Sequence, residues 1–130
     1  MLNTLILVFV GGAVGAMLRE FLMLIVRDPV DGFPLDILTA NLVAAFLLGL
    51  VTAQHARKAV SDNVNTLVGT GIMGGLSTFS SFVYGSFVLL SAPTHHPGVA
   101  MLYIVVSIVL GYIAVIVGMR LGSTHKRRSA

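Results

Sequence analysis

The 130-residue sequence has no cysteine, and only 10% of it is charged, eight Lys or Arg against five Asp or Glu. The first absence excludes disulfides, thiolate nucleophiles and cysteine-based metal sites. The second sets the chain apart from soluble domains, in which about 25% of residues are charged. Carboxylates are also missing where they would matter most. Glu20, Asp28, Asp31, Asp36 and Asp62 fall at the ends of apolar runs or between them. No run therefore carries the mid-membrane acid that a proton-coupled transporter uses. His55, His95, His96 and His125 lie in polar joints or the tail, and apart from the adjacent His95-His96 pair they have no partners at ligand spacing. No catalytic set is present, and the chain is not expected to be an enzyme or to hold an organic cofactor.

What is present is apolar surface. Hydrophobic residues make up 56% of the chain, more than a fold this short can bury in one core. Lipid removes the difficulty. Charges and breakers divide the sequence into four runs, placing spans at 2–26, 35–56, 63–92 and 98–120, with a basic tail at 121–130. Each run reaches the roughly 20 residues that cross about 30 Å of hydrocarbon as a helix. The first run has neither a charged n-region nor a small-residue cleavage site, so it reads as a retained span and not a signal peptide. The expected fold is an all-α membrane protein of four transmembrane helices. Lys126, Arg127 and Arg128 are expected near anionic headgroups. No basic face is interleaved with exposed aromatics, so nucleic acid is not an expected partner.

The third run, about thirty uncharged residues, is too long for one straight span. It contains Gly69, Gly71, Gly74 and Gly75, followed by Leu76-Ser77-Thr78-Phe79-Ser80-Ser81-Phe82. Glycine favours unwinding, and neighbouring hydroxyls can cap freed backbone groups. Two half-helices with a break near 74–78 are therefore expected; the competing reading is a continuous helix with a glycine packing seam. Unwound backbone at membrane depth survives only against protein or a water-filled cavity. The joints carry nearly balanced positive charge once the tail is set aside, which permits insertion both ways and head-to-tail pairing, whereas the tail favours an N-terminus inside.

Several neutral polar groups lie at membrane depth. Asn41 is early in the second span; Ser77, Thr78, Ser80 and Ser81 follow the glycines; Tyr103, Ser107 and Gly111 recur every four residues and share one stripe of the fourth span. Arg19 is the one cation within a span, placed to snorkel or to supply positive potential. Interhelical hydrogen bonding explains any one of these groups. Together, amide and hydroxyl donors without carboxylates suit an anion pathway. Phe79 and Phe82 are three apart and project from one face. They serve ordinary packing, or turn positive ring edges toward a polar path. Gly11 to Gly15 and Gly71 to Gly75 have the four-residue spacing that lets helices approach closely.

These residues resemble a known family. Gly11-Gly12-Ala13-Val14-Gly15-Ala16-Met17-Leu18-Arg19, then Asn41 with Phe46 and Gly49, then Gly74-Gly75-Leu76-Ser77-Thr78-Phe79-Ser80-Ser81-Phe82 look like the Fluc (CrcB) fluoride channels, in order and along the whole chain. The resemblance implies an antiparallel dual-topology homodimer in the cell (inner or plasma) membrane that exports fluoride passively and protects against its toxicity. It implies a fluoride pathway of Asn41, Phe79, Phe82, Ser80, Ser81, Thr78, Tyr103, Ser107 and Arg19. It also implies a structural Na+ at the dimer centre, held by backbone carbonyls of Gly74 and Ser77. Departures from the family pattern are Glu20 after the arginine, Asp36-Ile37-Leu38 entering the second span, Ala44-Ala45 in place of Gly-Ser, Ser77 in place of Thr, and Gly111 without a hydroxyl. Two other readings are a small multidrug exporter, which lacks its required acid here, and a non-conducting assembly subunit.

Overall fold

The computed structural model describes residues 1–26, 33–91 and 97–124. Its elements are α1 (Leu2–Ile25), α2 (Leu35–Ala56), a short α3 (Asp62–Val64), a π-helical segment (Asn65–Ile72), α4 (Met73–Leu76), α5 (Phe79–Ser91) and α6 (Pro97–Thr124). Among the described residues, four stretches are long and apolar enough to cross a membrane, the third being the composite Asp62–Ser91. The chain is a multi-pass membrane protein. His95, His96 and the residues of the basic tail from His125 onward lie outside the described residues.

Local chemistry sets the helix ends. Proline precedes α2 at Pro34 and opens α6 at Pro97, positions where its missing N–H is not needed. Asp36 accepts from the Ile37 N–H at 2.6 Å, placing a carboxylate at the positive end of α2. The Ser61 hydroxyl accepts from the Val64 N–H and starts the third span. At the far end of α6, Arg57 donates to the carbonyls of Gly122 and Ser123. These groups have no intrahelical partner, and the guanidinium lets the helix continue to Thr124.

Glycine sets the packing between spans. A Cβ at Gly118 of α6 would run into the Phe46 carbonyl of α2, and one at Gly15 of α1 would run into the Ile72 carbonyl of the π segment. The backbones touch at both crossings, so α2 pairs with α6 while α1 pairs with the π segment and α4. Leu38, Leu89, Ala100 and Tyr103 form one buried cluster; Ala44, Met73 and Leu76 form another. Leu38, Asn41 and Ala44 are spaced by three and share a face of α2, which places Asn41 between the two clusters and opposite the third span. Ala44 is only 2% exposed, so its methyl fills space against α4 that a glycine would leave empty.

Candidate functional site at the helix break

The third span is interrupted at Ser77–Thr78. Ser77 is extended, with φ −77° and ψ 148°, and α5 begins at Phe79. The sequence placed the break near 74–78. Gly74 and Gly75 remain helical in α4, and only the two hydroxyl residues after them leave the helix. The run's extra length is taken up partly by this break and partly by the π segment, which no local pattern announced.

The cause of the break is a long-range partner. The Thr78 N–H, which would return to the Gly74 carbonyl in a continuous helix, donates to Asn41 Oδ1 at 2.8 Å. The Asn41 amide donates back to the Thr78 carbonyl at 3.4 Å. Asn41 therefore clamps one residue of the break on both sides and keeps a second amide hydrogen for another acceptor. Thr78 is the N-cap of α5: its hydroxyl accepts from the Ser81 N–H at 3.2 Å. The same oxygen lies 3.1 Å from Ser80 Oγ and 3.2 Å from Ser81 Oγ. The three hydroxyls thus form one connected cluster around a threonine that is 8% exposed.

These diversions free carbonyls. Gly74 loses the Thr78 N–H to Asn41, and Ser77 loses the Ser81 N–H to the Thr78 hydroxyl. Both residues are exposed in the single chain. The carbonyl between them, on Gly75, accepts from Arg19 at 3.4 Å. Arg19 thus reaches across from α1 to the break, and its other terminal nitrogen lies 3.5 Å from the Glu20 carboxylate.

The rings follow directly. Phe79 and Phe82 have centroids 6.1 Å apart with planes tilted by 37°. Phe82 in turn lies 5.6 Å from Tyr103, which is 0% exposed. One turn further along α6, Ser107 Oγ is buried with no hydrogen-bond partner among the described residues. Buried hydroxyls are rarely left so, and this one is available to a further group.

Asn41, Thr78, Ser80, Ser81, Phe79, Phe82 and Tyr103 are therefore linked by direct contacts, with Ser107 next in line and Arg19 touching the break from the other side. Two contributors were not singled out by sequence. Ser86 donates to the Phe82 carbonyl at 2.8 Å, and Phe33 packs against Tyr103 with centroids 5.4 Å apart. The only signal for Phe33 was its place beside Pro34 at the start of a span. Among the described residues, no group of three His, Cys, Asp or Glu is placed to hold a metal ion.

Comparison with known proteins gives a consistent result. The family model described as CrcB-like protein, Camphor Resistance (CrcB), matches residues 6–119. A protein of Brucella melitensis named fluoride-specific ion channel FluC 2 is 60% identical over 122 residues, covering 94% of this chain and 45% of the relative. The chain thus spans just under half the length of that relative. A Yersinia pseudotuberculosis protein named fluoride-specific ion channel FluC 3 is 52% identical, covering 95% of this chain and 92% of its own length. A Thermus thermophilus protein named fluoride-specific ion channel FluC is 36% identical, with 90% and 93% covered.

Proposed function

The chain belongs to the CrcB-like family, and from that premise we propose that it is a passive, fluoride-selective channel of the cell's inner or plasma membrane. It lets fluoride leave the cell and so lowers its toxicity. The observation that carries this reading is the hydroxyl cluster at the break. Thr78, Ser80 and Ser81, with the spare amide hydrogen of Asn41, place several donors beside the Phe79–Phe82 ring pair. A small, hard anion that leaves its water needs donors in return, and neutral donors bind it without a full charge that would trap it. Phenyl edges add weak positive potential. Tyr103 and the unpartnered Ser107 hydroxyl extend the polar line along α6, and Arg19 supplies positive potential beside the break. Fluoride itself comes from the names of the relatives, which also describe channels and not enzymes.

The functional unit in this reading is an antiparallel homodimer surrounded by lipid. Nearly balanced joint charges support dual insertion, and Phe79, 79% exposed in the single chain, is free to be covered by a second copy. The carbonyls of Gly74 and Ser77 fit a structural Na+ at the dimer centre. They are neutral oxygens relieved of their helical partners, the ligand type that hard cations prefer. Once bound there, the ion would supply a fixed positive charge between the two breaks.

Replacing Phe79 or Phe82 by isoleucine tests the reading. Both variants should assemble as the wild type does yet pass much less fluoride through reconstituted liposomes. Loss of assembly with flux per assembled unit unchanged would make the rings packing residues and favour an assembly subunit.

A further inference from the structure

The rings do not end at Tyr103. Phe33, at the end of the joint between α1 and α2, meets Tyr103 with centroids 5.4 Å apart and planes at 87°, an edge-to-face arrangement. Tyr103 meets Phe82 at 5.6 Å and 32°, and Phe82 meets Phe79 at 6.1 Å and 37°. The four rings form one continuous column from the membrane-end joint to the helix break. An edge-to-face pair is directional, because the ring quadrupole favours it over a face-to-face sandwich, so Phe33 does more than fill space against Tyr103.

Phe33 is itself held firmly. Its carbonyl accepts from the Leu35 N–H at 2.8 Å, and the next residue, Pro34, fixes the backbone and lies against Gly85 of α5. The ring packs onto the cluster of Leu38, Leu89, Ala100 and Tyr103. Tyr103 is fully buried and has aromatic contacts on two sides, with Phe33 and Phe82. Removing the Phe33 ring takes away one of its two ring neighbours and opens space against that face of Tyr103. Its tilt would then relax, and Phe82 would follow, because the side chain of Phe82 is only half buried.

The geometry points to Phe33 as a positioning residue for the pathway: it fixes the tilt of Tyr103, and through it the ring of Phe82 that faces the ion. This rests on the channel reading above. Phe33 does not touch the hydroxyl cluster, so its influence passes through Tyr103 and changes discrimination among anions as well as throughput.

The test uses Phe33→Leu, which keeps apolar bulk without a ring, and Phe33→Tyr, which keeps the ring. Fluoride and chloride efflux are measured from liposomes and normalised to assembled protein. Phe33→Leu should lower fluoride flux about three- to tenfold, the size set by one aromatic pair, and narrow the fluoride-to-chloride ratio, while Phe33→Tyr restores both. In parallel, 3-fluorotyrosine labelling reports the three tyrosines; Tyr84 and Tyr112 are exposed and Tyr103 is buried. The buried resonance alone should shift or broaden in Phe33→Leu. An unmoved Tyr103 resonance, or wild-type flux and selectivity in Phe33→Leu, overturns the assignment while leaving the channel reading intact. A wild type that passes no fluoride overturns both.

Discussion

Replacing Asn41 by alanine removes both arms of the clamp on Thr78, and the structure determines what each is worth. The Thr78 carbonyl keeps a second donor, the Phe82 N–H at 3.3 Å, so loss of the long 3.4 Å bond from the amide contributes little. The Thr78 N–H has no such reserve. Its 2.8 Å bond to Asn41 Oδ1 is its one partner, on a residue that is 8% exposed. A buried donor left unsatisfied costs about 1–3 kcal/mol, and the lost bonds add up to roughly 1 kcal/mol more. The expected destabilisation is therefore about 2–4 kcal/mol, read from denaturant unfolding in detergent. Asn41→Asp separates support from conduction. A carboxylate still accepts from the Thr78 N–H, so the fold should persist; it cannot donate to a passing anion and repels it, so fluoride flux should be abolished. An alanine variant as stable as the wild type to within about 0.5 kcal/mol would refute the clamp. An aspartate variant that still conducts would refute Asn41's place on the path.

Four further outcomes are expected. Gly118→Ala, which drives a methyl into the Phe46 carbonyl, should cost about 1–3 kcal/mol and loosen the α2–α6 pair. Gly111→Ala meets open space and should leave stability within about 0.5 kcal/mol, which thermal unfolding in detergent will distinguish. Thr78→Val keeps the shape but loses the cap on Ser81, destabilising the start of α5 by about 1 kcal/mol and speeding amide exchange at Ser81. Arg57→Ala frees the Gly122 and Ser123 carbonyls, and hydrogen exchange should show the last turn of α6 fraying while its centre stays protected.

The membrane spans were legible because length, hydropathy and the position of charges carry that information directly. The break and its place within 74–78 were legible from excess length and the glycine–hydroxyl run, but which of those residues leave the helix was not. Gly74 and Gly75 have the conformational freedom to unwind, and they stay helical because what ends the helix is a hydrogen bond from Thr78 to Asn41, thirty-seven residues away. Local propensity cannot register such a partner. The π segment over Asn65–Ile72, which packs against α1 and α2, had no residue pattern to announce it. The continuation of α6 to Thr124 depends on Arg57, which sequence placed simply among the loop cations. In the candidate site, spacing brought Phe79 and Phe82 together and put Tyr103 and Ser107 on one stripe, since both follow from helical periodicity. Phe33 joined them only once the packing of the joint onto α6 was visible.

The central claim is that this chain conducts fluoride passively. Purified protein reconstituted into liposomes loaded with potassium fluoride tests it most directly, with an external fluoride electrode and a potassium ionophore added after a delay. The account predicts almost no efflux before the ionophore, rapid fluoride loss once charge can be compensated, and no comparable loss from chloride-loaded vesicles. Fluoride that stays inside after the ionophore, or leaves equally fast without it, would contradict it.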